Sequence, residues 1–256
     1  MTRALRRPGV RLAVLGIVAY LVFLLANVPA AWLGFALERS SRGALALGEP
    51  LGTVWKGSGL LAVRSGGALR GIADIEWRCN PLSIFTGRLN VALSGIAPDA
   101  RLRASVSLGA GSVRLQNVEA DAPAALLEPV VLAVAFAKPE GRLRVRADSF
   151  EIGGAGVLGA ATVEWVEAGA LRTQRLGDYR LQITGSGERA ALKLATLRGD
   201  LRLSGDGEWR AAQPRIVQLR GTVEASAGRK DLEPLLQALG IRGSGIRQPF
   251  AWTVPI

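Results

Sequence analysis

From residue 60 onward, apolar and polar positions alternate along most of the chain. Leu61 and Val63 face away from Ala62 and Arg64. Ala73, Ile75, Trp77 and Cys79 fall on one side of a pleat, with Asp74, Glu76 and Arg78 on the other. The same period of two runs through Leu89-Val91-Leu93 and through Leu102, Ala104, Val106 and Leu108, the last set set against Arg101, Arg103, Ser105 and Ser107. It recurs at Leu132-Val134-Phe136, at Leu143-Val145-Ala147 opposite Arg142-Arg144-Arg146, and at Val163-Trp165, Tyr179-Leu181-Ile183, Leu192-Leu194, Leu201-Leu203, Val217-Leu219 and Phe250-Trp252-Val254. Such runs predict half-buried strands. Pro139-Glu140-Gly141, Gly185-Ser186-Gly187 and Gly205-Asp206-Gly207 read as the turns between them. The alternation lapses at residues 122–128, a short helical candidate, and at residues 230–239. In the latter Leu232, Leu235, Leu236 and Leu239 take helical spacing and Gly240 ends the run. Strands without intervening helices predict an all-β, antiparallel architecture. The inner face is rich in Ala and Gly, too small to fill a closed sandwich. One extended, strongly twisted or curled sheet with one or two short helices is therefore expected.

The N-terminal part differs. Residues 12–37 hold no charged side chain, a run longer than the roughly 20 residues that span hydrocarbon as a helix. An N-terminal transmembrane helix is expected over residues 12–37, surrounded by membrane lipid, with Asn27, Pro29 and Trp32 at its far interface. Arg3, Arg6, Arg7 and Arg11 precede it, while Glu38, Arg39 and Arg42 follow. The positive-inside rule then leaves residues 1–11 in the cytoplasm and sends the bulk of the chain across the membrane. A cleaved signal peptide is the rival, since Val28-Pro29-Ala30 resembles a cleavage site. The length of the run and the placement of Pro29 favour a retained anchor. Residues 38–51 read as a linker, with Pro50 opposing helix continuation, and residues 52–256 as the exported β-domain.

Composition narrows the chemistry. The chain of 256 residues carries a formal net charge of +11, but beyond the N-terminus its arginines are spread singly along strands, so nucleic acid is not an expected partner. One cysteine, Cys79, and no histidine leave no disulfide, no thiol–imidazole nucleophile and no His/Cys zinc set. Gly154-Ala155-Gly156-Val157-Leu158-Gly159, with Asp178 downstream, matches a dinucleotide fingerprint in letters only. A strand, Thr162 to Val166, follows where a helix is required, so a hairpin is expected. Asp74 and Glu76 share a strand face, but Arg70 and Arg78 flank them and make a solvated charged face. No catalytic, cofactor-binding or metal-binding residue emerges.

The stretch Gly52-Thr53-Val54-Trp55-Lys56-Gly57-Ser58-Gly59 reads as a strand end with glycines that permit turns. Trp55 is a large apolar anchor requiring a pocket and an acceptor for its indole N–H. Together with the apolar N-terminus, Ile75-Glu76-Trp77, Asn80-Pro81-Leu82 and Gly87-Arg88-Leu89, this block resembles the type II secretion system protein N (GspN) family. The resemblance implies a single-pass protein of the bacterial inner membrane with its bulk in the periplasm. It implies a non-catalytic accessory of the machine that exports folded proteins across the outer membrane, without cofactor and partnered by other inner-membrane components of that system. It carries over Gly52, Thr53, Val54, Trp55, Gly57, Trp77, Pro81 and Gly87 as structural or partner-contacting positions, and none beyond residue 95. The alternative function is a membrane-anchored β-trough that binds or conveys lipid or another apolar ligand.

Overall fold

The computed structural model describes residues 8–65, 68–127, 138–154, 156–169, 175–212, 216–225 and 247–255. The expected strand around Leu132-Val134-Phe136 and the expected helix over residues 230–239 lie outside the described residues. Two helices, α1 (Pro8–Ala26) and α2 (Ala31–Ser40), precede the strands β1 (Leu45–Gly52), β2 (Lys56–Ser65), β3 (Ala68–Asn80), β4 (Arg88–Ala97), β5 (Ala100–Gly109) and β6 (Ser112–Pro123). There follow β7 (Glu140–Gly153), β8 (Gly156–Gly169), β9 (Gly177–Gly187), β10 (Arg189–Gly199), β11 (Leu201–Arg210), β12 (Ile216–Ala225) and β13 (Arg247–Pro255). These form a single 13-stranded antiparallel sheet in which each strand pairs with its sequence neighbours. Short 3-10 turns cover Pro81–Thr86 and Ala124–Leu127, the latter within the expected helical lapse.

The pairing register turns the alternation into two chemically distinct faces. One transverse row runs Gly59, Ile75, Gly95, Leu102, Ala120, Val145, Val163, Leu181, Leu194, Gly205, Gly221 and Phe250, from β2 to β13 without a polar side chain. The next row lies on the other face and runs Ser58, Glu76, Ser94, Arg103, Glu119, Arg146, Thr162, Gln182, Lys193, Asp206 and Arg220. The polar side is laced by cross-strand ion pairs such as Arg114–Glu151, Arg142–Asp121 and Arg180–Glu164. Half exposed as they are, such pairs set register more than stability.

The strands form one layer. The chain exposes 17081 Å², where a compact protein of this size would expose about 10,800 Å². Bulges interrupt the ladders at β1–β2, β2–β3, β5–β6, β7–β8, β8–β9 and β9–β10. Each adds local twist, and the sheet curls enough for β3 to approach β5, β8 to approach β10 and β9 to approach β11. Over β8–β13 the apolar face turns inward. Ala168, Leu176, Tyr179, Leu201, Val223 and Phe250 form the core there, with Trp165, Leu219 and Trp252 packed against it. Leu201 and Val223 are each only 1% exposed, which a flat single layer would not achieve.

Tyr179 closes this core by donating its hydroxyl proton to the Leu201 carbonyl at 2.9 Å. Burial pushes its phenol well above the ordinary range, and Asp178 and Asp200 push it further. A folded phenol that holds its proton longer than the unfolded one stabilises the fold below the ordinary tyrosine value of about 10, and that stability is lost as pH rises beyond it. Denaturant midpoints at pH 8 and pH 11 should therefore fall more for the native chain than for Tyr179→Phe. The variant loses its hydrogen bond, about 1 kcal/mol, at both pH values.

Three expectations are corrected. The apolar run over residues 12–37 is not one helix: α1 ends at Ala26, and Asn27 to Ala30 lie outside either helix before α2 begins at Ala31. Pro29 has no N–H to continue the helix, and the groups on either side of it bond to the chain at residues 52–54 instead. Among the described residues no helix is long and apolar enough to cross a membrane. Gly205-Asp206-Gly207 is not a turn but the middle of β11, where both glycines lie on the apolar face. Within the expected linker, residues 45–51 belong to β1, the first strand of the sheet.

Candidate functional site

The residues singled out by their resemblance gather at one end of the sheet, where α1 and α2 meet β1–β3. Gly52 and Gly57 pair across the β1–β2 hairpin. Gly52 has φ +89°, and a Cβ on it would lie 2.5 Å from the Lys56 carbonyl oxygen. Only glycine tolerates that combination. Inside the turn, the Thr53 hydroxyl accepts from the backbone N–H groups of Trp55 and Lys56, both at 3.3 Å. The Thr53 N–H donates to the Lys56 carbonyl at 2.9 Å. The sequence folds locally because threonine supplies the acceptor and the glycines supply the room.

The turn's remaining polar groups reach outward to three other segments. The Ala30 N–H donates to the Gly52 carbonyl at 3.1 Å, and the Val54 N–H donates to the Val28 carbonyl at 3.0 Å, so Pro29 and Thr53 form an isolated bridge. Trp55 donates its indole N–H to the Leu25 carbonyl at 2.7 Å. That carbonyl is one of the last four of α1, which have no partner within the helix. The Cys79 N–H donates to the Trp55 carbonyl at 2.6 Å, and Trp77 donates its indole N–H to the Thr53 carbonyl at 3.0 Å. The hairpin therefore ties the end of α1, the break after it and strand β3 into one joint.

The two tryptophans divide the work differently from expectation. Trp55 has the expected acceptor but no enclosing pocket: it is half exposed and caps a helix. Trp77 is the buried one, at 5% exposure. Its ring occupies the space where Gly57 lacks a side chain, since a Cβ there would lie 2.5 Å from its Cζ2. Cys79 lies on the same face as Trp77, half buried, and burial pushes its thiol up.

Pro81 and Gly87 bracket the neighbouring 3-10 turn. Asn80 caps it by accepting from the Leu82 N–H, Pro81 stands at its first position, and Gly87 closes it at φ +75°. The structure thus brings Gly52, Thr53, Val54, Trp55, Gly57 and Trp77 into direct contact or bonding and places Pro81 and Gly87 on the adjoining loop. Sequence reasoning missed Leu25 and Val28, whose backbone carbonyls are acceptors that no side-chain pattern announces.

The other candidates dissolve into structure. Gly154 forms the β7–β8 turn, as the hairpin reading requires, and Gly156 begins β8. Asp178 is buried in β9, where it accepts from the Glu167 N–H and from Arg198. Asp74 and Glu76 stand exposed on the polar face. The hollow over β2–β5, about 630 Å³ and open to solvent, is lined by Lys56, Glu76, Arg78 and Arg103, a set of dispersed charges with no nucleophile–base pair. Among the described residues no cluster of Cys, Asp and Glu could hold a metal ion.

Fold and joint together define, among the described residues, a single-layer β-protein fastened at one corner to an apolar helix. The model of one family, described as type II secretion system (T2SS), protein N, matches residues 43–248, from just before β1 to the start of β13. The chain belongs to the type II secretion system protein N family. No curated protein and no solved structure matches it significantly.

Proposed function

We propose that the chain is a non-catalytic accessory component of the type II secretion system, attached to the inner membrane through the apolar surface of α1, with its sheet in the periplasm beside other inner-membrane components of that machine. The observation that carries this reading is the joint. The family model, whose description places it in the secretion system, matches a span that in this chain contains the hairpin fixing the sheet to an apolar helix. Leu12, Leu15, Ile17, Val18, Leu21, Val22 and Phe23 are all exposed around α1, and a helix apolar on every side is stable only when something apolar surrounds it. A bilayer supplies that cover. The open edges of the sheet supply docking surface for another component by strand addition. Deletion of the chain should leave folded exoproteins stranded in the periplasm while their export from the cytoplasm stays normal. Unchanged exoprotein release would sink this reading.

A second reading is favoured by one observation, the uninterrupted apolar row from Gly59 to Phe250 with no second layer upon it among the described residues. A curled sheet with that face inward suits acyl chains. It predicts intact secretion, an altered outer membrane, and lipid that co-purifies with the protein and is identified by mass spectrometry.

A further inference from the structure

The 3-10 turn Pro81–Thr86 is built inside out. Its polar side chain Ser83 is buried and holds the loop, donating to the Asn80 carbonyl at 2.5 Å and accepting from the Asn90 N–H at 3.0 Å. Its apolar side chains point to solvent: Leu82 is 70%, Ile84 49% and Phe85 88% exposed. A surface loop ordinarily does the reverse, and the rigid capping by Asn80, Pro81 and Gly87 shows that this presentation is specified by the local sequence. A contiguous exposed apolar group of this kind marks a contact.

Its position names the partner. The turn starts two residues after Cys79, whose N–H bonds to Trp55, and Trp55 bonds to the last turn of α1. Phe85 thus projects at the end of the sheet where the apolar helix ends. Trp32 and Phe35, one helical turn apart on α2, are exposed at the same corner. Exposed Lys56 and Arg78, cross-strand neighbours, stand at the base of the turn. An apolar tip with aromatic residues and a cationic collar beside a helix end is the chemistry of a lipid interface rather than of a protein groove.

We propose that the Pro81–Thr86 turn is a second membrane contact: Leu82, Ile84 and Phe85 insert into the headgroup–acyl boundary of the leaflet that α1 reaches, and Lys56 and Arg78 meet anionic headgroups. The sheet is then held at two points and has a fixed orientation on the membrane. The proposal rests on the reading of α1 as membrane-embedded, and its test separates the two.

The full chain, in a Cys79→Ala background, would carry one cysteine at a time: Phe85→Cys, Val18→Cys in α1, or Leu197→Cys at the opposite end of the sheet. Each is labelled with an environment-sensitive fluorophore and reconstituted into vesicles of phosphatidylethanolamine and phosphatidylglycerol. Doxyl-labelled lipids should quench most emission from position 85 when the doxyl group is shallow and from position 18 when it is deep. Position 197 should be unaffected. Quenching at 18 but not at 85 overturns the second contact and leaves the anchor standing. Quenching at 85 but not at 18 supports the contact and removes the anchor. If 85 is shielded from aqueous iodide yet untouched by doxyl lipid, a second copy of the chain covers it and the lipid proposal fails. Without anionic lipid, quenching at 85 should weaken, and Lys56→Gln with Arg78→Gln should reproduce that loss.

Discussion

Replacing Trp77 with alanine should lower the stability of the sheet by about 3–5 kcal/mol, the cost typical of removing a large buried aromatic side chain. The ring is buried, and its edge lies against the backbone of Gly57 on the neighbouring strand. Leu93, directly opposite on β4, closes it from the other side. Truncation leaves a cavity that backbone atoms cannot collapse to fill. It also leaves the Thr53 carbonyl without the indole donor that now satisfies it at 3.0 Å. Trp77→Phe keeps most of the packing and loses the hydrogen bond, so about 1–2 kcal/mol is expected for it. Trp55→Ala is the contrasting case. Its ring is half exposed and its indole serves a helix end, so the sheet should lose only about 1 kcal/mol, while the tie to Leu25 disappears. Urea unfolding of the full chain in detergent, followed by far-UV circular dichroism, ranks the three. If Trp55→Ala proved as costly as Trp77→Ala, the division between cap and core would be wrong.

That division shows where sequence is informative. Alternation located most of the strands, and the register then sorted the same residues into an apolar and a polar face. Two strands escaped for local reasons. β1 contains Gly48 and Pro50, and Glu49 takes φ +47° at its bulge, so its letters read as a bridge. β6 carries a bulge where Asn117 takes φ +49°. There Val113 and Leu115 exchange parity with Val118 and Ala120, and the period of two vanishes from the string while the strand continues. The residues of the joint were legible because Gly, Thr and Trp at that spacing are unusual, but their purpose was not. The acceptor for Trp55 is a main-chain carbonyl in a helix distant along the chain, and nothing in a carbonyl's own residue type advertises that it is unpaired. Pro29 was expected at a membrane interface; its pairing with Thr53 of the hairpin became visible only in the fold.

Glycine is the clearest instance of the same ambiguity, and it carries the second large effect. Gly205 and Gly221 stand side by side on β11 and β12, with Phe250 next in the row on β13. Locally a glycine between polar residues looks like a turn. Here each leaves space for the Phe250 ring, whose Cζ lies 2.9 Å from a Cβ built on Gly221 and 3.2 Å from one on Gly205. A Cβ on Gly221 would also meet the Ser204 carbonyl oxygen and lie 2.6 Å from the Gly205 Cα. Those are backbone atoms of a paired strand and cannot swing aside as a side chain can. Gly221→Val should therefore cost about 3 kcal/mol or more, at or beyond the upper end of ordinary overpacking. The loss should be directional. Phe250 stacks on Trp252 with ring centroids 4.1 Å apart, so displacing one ring frees both, and β13 should leave the sheet before the other strands. Hydrogen exchange would then show β12 and β13 losing protection while β2–β5 keep theirs. The uncovered apolar face should bind anilinonaphthalene sulfonate. Gly154→Ala is the control, because a Cβ there meets nothing within 4 Å and should change neither readout. If Gly221→Val retained native protection in β13, the ring would not be resting on the glycines, and the inward curl of the apolar face over β8–β13 would need another cause.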